Sequence, residues 1–267
     1  MLKATSANCT YHYQKAKNVS KGNIVFIHGY ATTSMYHQDA ALEFSDYNYY
    51  AIELPGHGYT DVRQNLEFSP INIAIQVVDW IHSLNLDEII LIGHSMGGGI
   101  AEMINLYIPQ KISKIILVSP MNSSIDLSGL FKKKKLSFKN VKDLTDWHKI
   151  IFKNPDRLNL NNSENENKLE SELDYQTKNK DNFKILKKNI YSLKNLKNLK
   201  FAERKNDKPT LLIASEFDQV IKLKNLMKVF SKKENVIISV FKDSGHIPFM
   251  EEKELYVKTI KEFIESK

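Results

Sequence analysis

Cysteine and metal-binding patterns are scarce in this chain of 267 residues. Cys9 is the only cysteine, which excludes an intrachain disulfide and any zinc site built from cysteine pairs. The eight histidines show no metal-ligand spacing such as His-Glu-x-x-His. The sequence therefore predicts no metal site and gives Cys9 no role.

Long apolar runs are missing as well. No stretch approaches the roughly 20 apolar residues that a membrane-spanning helix needs. The first residues, MLKATSANCTYHYQK, contain no apolar segment of the kind found in a signal peptide. These two absences predict a soluble cytoplasmic protein.

Arginine is rare although the chain is basic. The net charge is +7, yet Arg63, Arg157 and Arg204 are the only arginines. Because arginine is the preferred reader of phosphates and guanine edges, its scarcity argues against nucleic acid as a partner. The charge still permits weak contact with an anionic lipid surface. The oligomeric state stays open.

Short β-rich runs alternate with helix-like segments along most of the chain. Hydrophobic residues make up 42% of the sequence, enough for one full-sized core. Six runs read as strands: Asn23 to Ile27, Tyr49 to Glu53, Glu88 to Ile92, Lys114 to Val118, Thr210 to Ala214 and Val236 to Phe241. Most are continuously apolar, as strands covered on both faces are.

Helix signals lie between these strands. A helix is predicted from Ser69-Pro70, another from Ser95 until Pro109 stops it, and a last one from about Glu251. Strands and helices that alternate in this way predict an α/β protein with a mostly parallel, doubly wound sheet.

The alternation breaks between Pro120 and Lys208, where lysine and asparagine are abundant. Apolar residues there, from Leu130 and Phe131 to Leu193 and Leu196, are spaced as in short amphipathic helices. The sequence predicts a helical insertion over residues 121–207 between two parts of one core, residues 1–120 and 208–267. The run Lys132 to Lys135 indicates a solvated face, and residues 161–167 a flexible or solvated portion.

The segment Gly93-His94-Ser95-Met96-Gly97 fits the pattern G-x-S-x-G between a predicted strand and a predicted helix. Such a turn presents its serine at a helix N-terminus, where free N–H groups favour developing negative charge. A phosphate-binding turn is the competing interpretation, although the P-loop lysine and the full G-x-G-x-x-G spacing are absent. The following Gly99 is expected to allow close packing of the helix against a strand.

A serine nucleophile needs a base and an acid that orients the base. The expected chain order is serine, acid, histidine, with the last two on loops after late strands. The run Thr210 to Ala214 is followed by Ser215-Glu216-Phe217-Asp218, and Val236 to Phe241 by Lys242-Asp243-Ser244-Gly245-His246. Asp218 and His246 therefore occur where a reactive Ser95 requires them.

The whole chain resembles the α/β-hydrolase superfamily, specifically the capped esterases and lipases that include monoacylglycerol lipase-like and carboxylesterase-like enzymes. The matching segments, in order, are Phe26-Ile27-His28-Gly29-Tyr30, Glu53-Leu54-Pro55-Gly56-His57-Gly58-Tyr59, Gly93-His94-Ser95-Met96-Gly97-Gly98, Ser215-Glu216-Phe217-Asp218 and Ser244-Gly245-His246-Ile247-Pro248. The resemblance implies an α/β-hydrolase fold whose helical cap is inserted after the sixth core strand and covers the active site.

The resemblance also implies roles for individual residues. Ser95 would be the nucleophile, His246 the general base and then acid, and Asp218 the residue that orients His246. The backbone N–H groups of Tyr30 and Met96 would form the oxyanion hole.

Other acids and histidines receive lesser roles. Relatives commonly have glycine at Ser215 and proline at Ile221, so Asp126 stays open as an alternative acid, ahead of Glu216 and Asp243. We expect structural hydrogen bonds from His28, His57 and His94. We expect the others to lie at the surface or to have their hydrogen bonds satisfied: His12, His37, His82 and His148.

These features favour a serine hydrolase that cleaves short- to medium-chain carboxylic esters without metal or organic cofactor. Its substrates would be small acyl esters, with monoacylglycerols and lysophospholipids among the candidates. A thioesterase, a carbon–carbon bond hydrolase, an acyltransferase or a proline iminopeptidase-like peptidase would use the same three residues. A catalytically silent scaffold for ligand sensing or protein interaction is the alternative from another class.

Overall fold

The computed structural model describes residues 1–63, 66–124, 138–158 and 163–266. Within them, eight strands form one sheet in the order β1-β2-β4-β3-β5-β6-β7-β8. The strands are β1 (Leu2–Ser6), β2 (Cys9–Gln14), β3 (Asn23–Ile27), β4 (Asn48–Ile52), β5 (Ile89–His94), β6 (Ile112–Val118), β7 (Thr210–Ser215) and β8 (Val236–Phe241). β2 is antiparallel to both of its neighbours, and the other pairs are parallel.

Helices cover both faces of the sheet. They are α1 (Gln38–Ala41), α2 (Pro70–Ser83), α3 (Met96–Tyr107), α4 (Val141–Ile151), α5 (Ser163–Lys178), α6 (Lys180–Ile190), α7 (Leu193–Lys205), α8 (Leu223–Phe230), α9 (Pro248–Glu251) and α10 (Lys253–Glu265). Short 3₁₀ turns occupy Ser34–His37, Pro109–Lys111 and Pro155–Leu158. None of the described helices is long and apolar enough to cross a membrane.

Alternate residues of one strand enter two different cores. Ile89 and Leu91 of β5 pack with α2, α3 and α8, whereas Ile90 and Ile92 pack with α1 and α10. A strand covered on both faces buries every side chain, which is why β5 is continuously apolar. The prediction of a mostly parallel sheet between helical layers is confirmed.

The predicted strands agree with the structure to within two residues at each end. The first two strands, β1 at the edge of the sheet and β2 beside it, were not predicted, because β1 is largely exposed and the segment mixes polar and apolar residues. The predicted C-terminal helix is α10, which begins at Lys253, and the short helix α9 before it was not predicted.

The described part of the segment between β6 and β7 contains helices α4 to α7 and no strand. The insertion follows the sixth strand, as expected. Of the portion expected to be flexible or solvated, residues 163–167 lie in α5 with Glu166 and Asn167 exposed to solvent, and residues 161 and 162 lie outside the described residues. Leu130, Phe131 and the run Lys132 to Lys135 lie outside the described residues.

Gly99 allows close packing as expected, but the prediction that the packing partner is a strand is wrong. A Cβ atom at this position would lie 2.7 Å from both Leu199 Cδ2 of α7 and Met121 Cε. Gly99 therefore allows α3 to pack closely against the last helix of the insertion rather than against a strand.

Candidate active site

Ser95 lies in a sharp turn between β5 and α3. Its backbone has φ 54° and ψ −121°, a conformation that costs free energy in a non-glycine residue. A Cβ atom on Gly97 would lie 2.1 Å from the carbonyl oxygen of Ile27, and one on Gly93 would lie 2.5 Å from that of Gly97. Both positions require glycine, and the turn holds Ser95 at the carboxyl edge of the sheet.

Two hydrogen bonds connect the three predicted side chains. Ser95 Oγ lies 2.9 Å from His246 Nε2, and His246 Nδ1 lies 2.8 Å from Asp218 Oδ2. Asp218 and His246 are buried, and Ser95 is half-buried. Because a carboxylate only accepts, Nδ1–H donates to Asp218 and Nε2 accepts from the serine hydroxyl of a neutral histidine.

The loop after β7 supplies Asp218 with two further donors. The N–H groups of Val220 and Ile221 each donate to Asp218 Oδ1 at 2.8 Å. Proline has no N–H, so isoleucine at position 221 adds a hydrogen bond to this carboxylate. Ser215 is the other position at which this chain differs from the common family pattern. It is buried, and its Oγ lies 3.2 Å from Ser244 Oγ in the loop that carries His246.

The other acidic residues considered for this role lie elsewhere. Glu216 and Asp243 are exposed, and Asp243 forms an ion pair with Lys153 at 2.6 Å. Asp126 lies outside the described residues.

The loop after β3 brings Tyr30 beside the serine. Tyr30, Ser95 and Met96 line the same small cavity. The next residue, Ala31, has a positive φ of 55°. Three hydrogen bonds join this loop to the insertion: Tyr30 Oη to Phe183 O, Gln176 Nε2 to Ala31 O and Tyr175 Oη to Thr32 O, between 2.7 and 2.9 Å long.

Two buried histidines support the same loop. His28 Nε2 accepts from Leu54 N at 3.0 Å and its Nδ1 donates to Gly29 O, while His57 Nε2 accepts from Ala31 N at 3.2 Å. Burial lowers the pKa of His28 to about 4 and that of His57 to about 3. Both are therefore neutral at pH 7, which their acceptor nitrogens require, and the expected structural role is confirmed.

His94 supports the loop of His246 instead. Its Nε2 donates to the carbonyl oxygen of His246 at 2.9 Å. Burial holds the pKa of His94 well below its usual range. The bond fixes the backbone that carries His246 without adding a positive charge beside it.

The remaining histidines divide as follows. His37 bonds to the hydroxyls of Tyr49 and Tyr256, His12 bonds to Ser34, and His82 is exposed. These agree with the expectation of surface or satisfied positions. His148 differs, because it is buried, its Nδ1 has no partner within the described residues, and its Nε2 lies 3.3 Å from Glu172.

Two cavities meet at Ser95. The larger includes His246, Trp147 and Glu172 in its lining. The smaller is lined by apolar side chains that include Met121, Ile190 and Ile221. Across the described residues no group of three or more His, Cys, Asp or Glu side chains is arranged to bind a metal ion.

Glu251 is a site residue that no sequence motif indicated. Its Oε2 accepts from Gly245 N at 2.7 Å, and its Oε1 accepts from the N–H groups of Lys153 and Asn154 at 2.9 and 3.0 Å. The buried carboxylate therefore joins the residue before His246 to the segment after α4. Two of its three partners are backbone groups almost 100 residues away in sequence, and such contacts leave no local pattern.

Residues 22–253 match the family model described as alpha/beta hydrolase fold. The chain belongs to the α/β-hydrolase family. A candidate esterase/lipase of Mycoplasma pneumoniae, named esterase/lipase 3, is 31% identical over 94% of this chain and 90% of the relative. A pimeloyl-[acyl-carrier protein] methyl ester esterase of Wigglesworthia glossinidia brevipalpis is 28% identical over 91% of this chain and 93% of that protein.

Solved structures agree on the fold. The crystal structure of a candidate lipase of Acinetobacter baumannii matches with a TM-score of 0.82 and 20% identity, over 98% of this chain and 90% of that one. At this identity the likeness concerns the fold alone. In this α/β hydrolase, as the family fold requires, Ser95, Asp218 and His246 follow strands whose carboxyl ends lie at one edge of the sheet.

Proposed function

We propose that this α/β hydrolase cleaves carboxylic esters through an acyl-enzyme on Ser95. The observation that carries the proposal is the continuous series of hydrogen bonds from Ser95 Oγ through His246 to Asp218. The names of the two relatives, both of the esterase class, point to the same reaction.

Each step of the reaction has a candidate group. His246 Nε2 takes the proton of the Ser95 hydroxyl as Oγ attacks the ester carbonyl carbon. The Met96 and Tyr30 N–H groups would donate to the resulting oxyanion, each worth about 3 kcal/mol in the transition state. His246 then gives its proton to the leaving alkoxide, and a water molecule activated by the same nitrogen hydrolyses the acyl-enzyme.

Asp218 would hold His246 in the productive tautomer. Its Oδ2 accepts the Nδ1 proton, and its Oδ1 is occupied by the Val220 and Ile221 N–H groups. A carboxylate fixed in this way orients the imidazole and stabilises the imidazolium as it forms.

Substrate selection would lie with the insertion. We propose residues 121–207 as a cap between core parts 1–120 and 208–267, over a site for short- to medium-chain acyl esters such as monoacylglycerols or lysophospholipids. The apolar smaller cavity suits a short acyl chain. The net charge of +7 would favour weak attraction to an anionic lipid surface.

Hydrolysis of p-nitrophenyl esters and matched thioesters of graded chain length tests the proposal. We expect oxygen esters of short to medium chains to be preferred, with turnover unaffected by EDTA. Ser95→Ala should remove the activity without lowering the thermal unfolding temperature. A folded wild-type protein that hydrolyses none of these compounds would favour the silent scaffold, and a preference for thioesters would favour the thioesterase.

A further inference from the structure

The two cavities beside Ser95 differ in which part of the reacting group they can receive. The leaving group must be reached by His246, because its alkoxide takes the proton that this residue holds. His246 lines the larger cavity, whereas Met96, a candidate oxyanion donor, lines the smaller. The leaving alcohol is therefore assigned to the larger cavity and the acyl chain to the smaller one.

A carboxylate faces the cavity assigned to the alcohol. Among the described residues that line it, Glu172 of α5 is the only acidic side chain. His148 Nε2 lies 3.3 and 3.4 Å from its two oxygens. One N–H donor holds the carboxylate in place and leaves it further lone pairs, since an ionised carboxylate has about four acceptor sites.

A phenol lines the same cavity as Glu172. Tyr36 belongs to the lining of the larger cavity. Burial raises the pKa of Tyr36 and the Glu172 charge raises it further, so the hydroxyl stays neutral. The wall of the cavity thus combines a fixed acceptor with a neutral phenol.

We infer that Glu172 selects esters whose alcohol carries a free hydroxyl group, as in a polyol monoester, by accepting that hydroxyl in the larger cavity. The inference rests on the proposed ester hydrolysis. The Glu172 side chain is 30% exposed, so an alcohol that lacks a donor leaves a partly desolvated carboxylate without a partner and is disfavoured relative to a polar analogue.

Three butyrate esters with different alcohols test this role. The acyl group is constant in 1-butyrylglycerol, propyl butyrate and butyrylcholine, so only the leaving group varies. For the wild type we expect kcat/KM for 1-butyrylglycerol to exceed that for propyl butyrate about tenfold. Glu172→Ala and Glu172→Met, which keeps most of the bulk, should each abolish this ratio by lowering kcat/KM for 1-butyrylglycerol about tenfold. Glu170→Met, at an exposed position of the same helix, should preserve it.

Four results would overturn the inference. The first is an unchanged ratio in both Glu172 variants, and the second is a ratio lost in Glu172→Ala but kept in Glu172→Met. The third is a wild-type ratio near one. The fourth is a Glu172-dependent preference for butyrylcholine over 1-butyrylglycerol. The third result would mean that no polar recognition occurs, and the fourth that charge is recognised instead. Failure of the wild type on all three esters would instead contradict the proposed function.

Discussion

The backbone N–H of His246 donates a hydrogen bond of 2.6 Å to the carbonyl oxygen of Ile151. Ile151 is the last residue of α4, so the insertion is bonded directly to the loop that carries the candidate base. A Cβ atom on Gly245 would lie 2.6 Å from the same oxygen and 2.9 Å from Lys153 N. The close approach of the insertion therefore fixes the position of His246 and requires glycine beside it.

Gly245→Ala should lower kcat by about tenfold or more, because the added methyl group must push the His246 loop away from α4 and misplace the imidazole. KM should change less than kcat. Steady-state kinetics on a p-nitrophenyl ester provide the measurement, with the exposed Lys242→Ala as control. Wild-type kcat in a folded Gly245→Ala protein would show that the contact with Ile151 does not position His246.

Glu251→Gln tests the carboxylate that connects the same two segments. An amide can offer only one acceptor oxygen, so its NH₂ group must face the N–H of Gly245 or those of Lys153 and Asn154. We expect a loss of about 1–3 kcal/mol in the free energy of unfolding, as for an unsatisfied buried donor. Urea unfolding measures it, with the exposed Glu254→Gln as control. Equal stability of the two variants would contradict the bridging role.

The candidate nucleophile, acid and base could be predicted because each follows a strand directly. Ser95, Asp218 and His246 lie one to five residues beyond β5, β7 and β8, and the carboxyl ends of parallel strands meet at one edge. Chain order and local pattern were therefore sufficient to bring them together.

Contacts between the insertion and the core could not be predicted. The bonds of Glu251 and Tyr30 reach backbone groups about 100 or more residues away, and such pairing depends on tertiary packing rather than on local sequence. The orientation of Glu172 toward the cavity depends in the same way on how α5 packs. β1 and β2 were not predicted, because their mixed polar and apolar residues leave only a weak hydrophobic pattern.

Asp218→Asn should lower kcat by about 10⁴-fold. The two N–H donors at Oδ1 should bind the amide oxygen of asparagine, so that its NH₂ group faces His246 Nδ1 and forces the wrong tautomer. Steady-state kinetics test this expectation against the alternative acid. Near-wild-type turnover of Asp218→Asn, with loss of activity in Asp126→Asn, would move the role to Asp126.

Glu102→Gln should stabilise the protein at high pH. Glu102 of α3 is fully buried, and neither carboxyl oxygen has a hydrogen-bond partner within the described residues. Burial raises its pKa well above the usual range and the nearby Glu203 raises it further, against smaller opposing effects of Lys233 and Asn206.

The sign follows from proton linkage. A raised folded-state pKa contributes stability that is fully present below the unfolded pKa and is lost as pH rises toward the folded value. Glutamine does not titrate. The free energy of unfolding of Glu102→Gln should therefore gain on that of the wild type by up to about 1.4 kcal/mol per pH unit between the unfolded and the folded pKa of Glu102. Urea unfolding at about pH 6 and pH 8 measures the difference. A stability advantage of Glu102→Gln that shrinks as pH rises would contradict a raised pKa of Glu102 in the folded state.

Labelling with a fluorophosphonate probe, followed by peptide mass spectrometry, tests the central claim most directly. The account predicts one covalent adduct on Ser95, absent in Ser95→Ala and strongly slowed in His246→Ala. Folded wild-type protein that remains unlabelled, or an adduct that persists in Ser95→Ala, would contradict it.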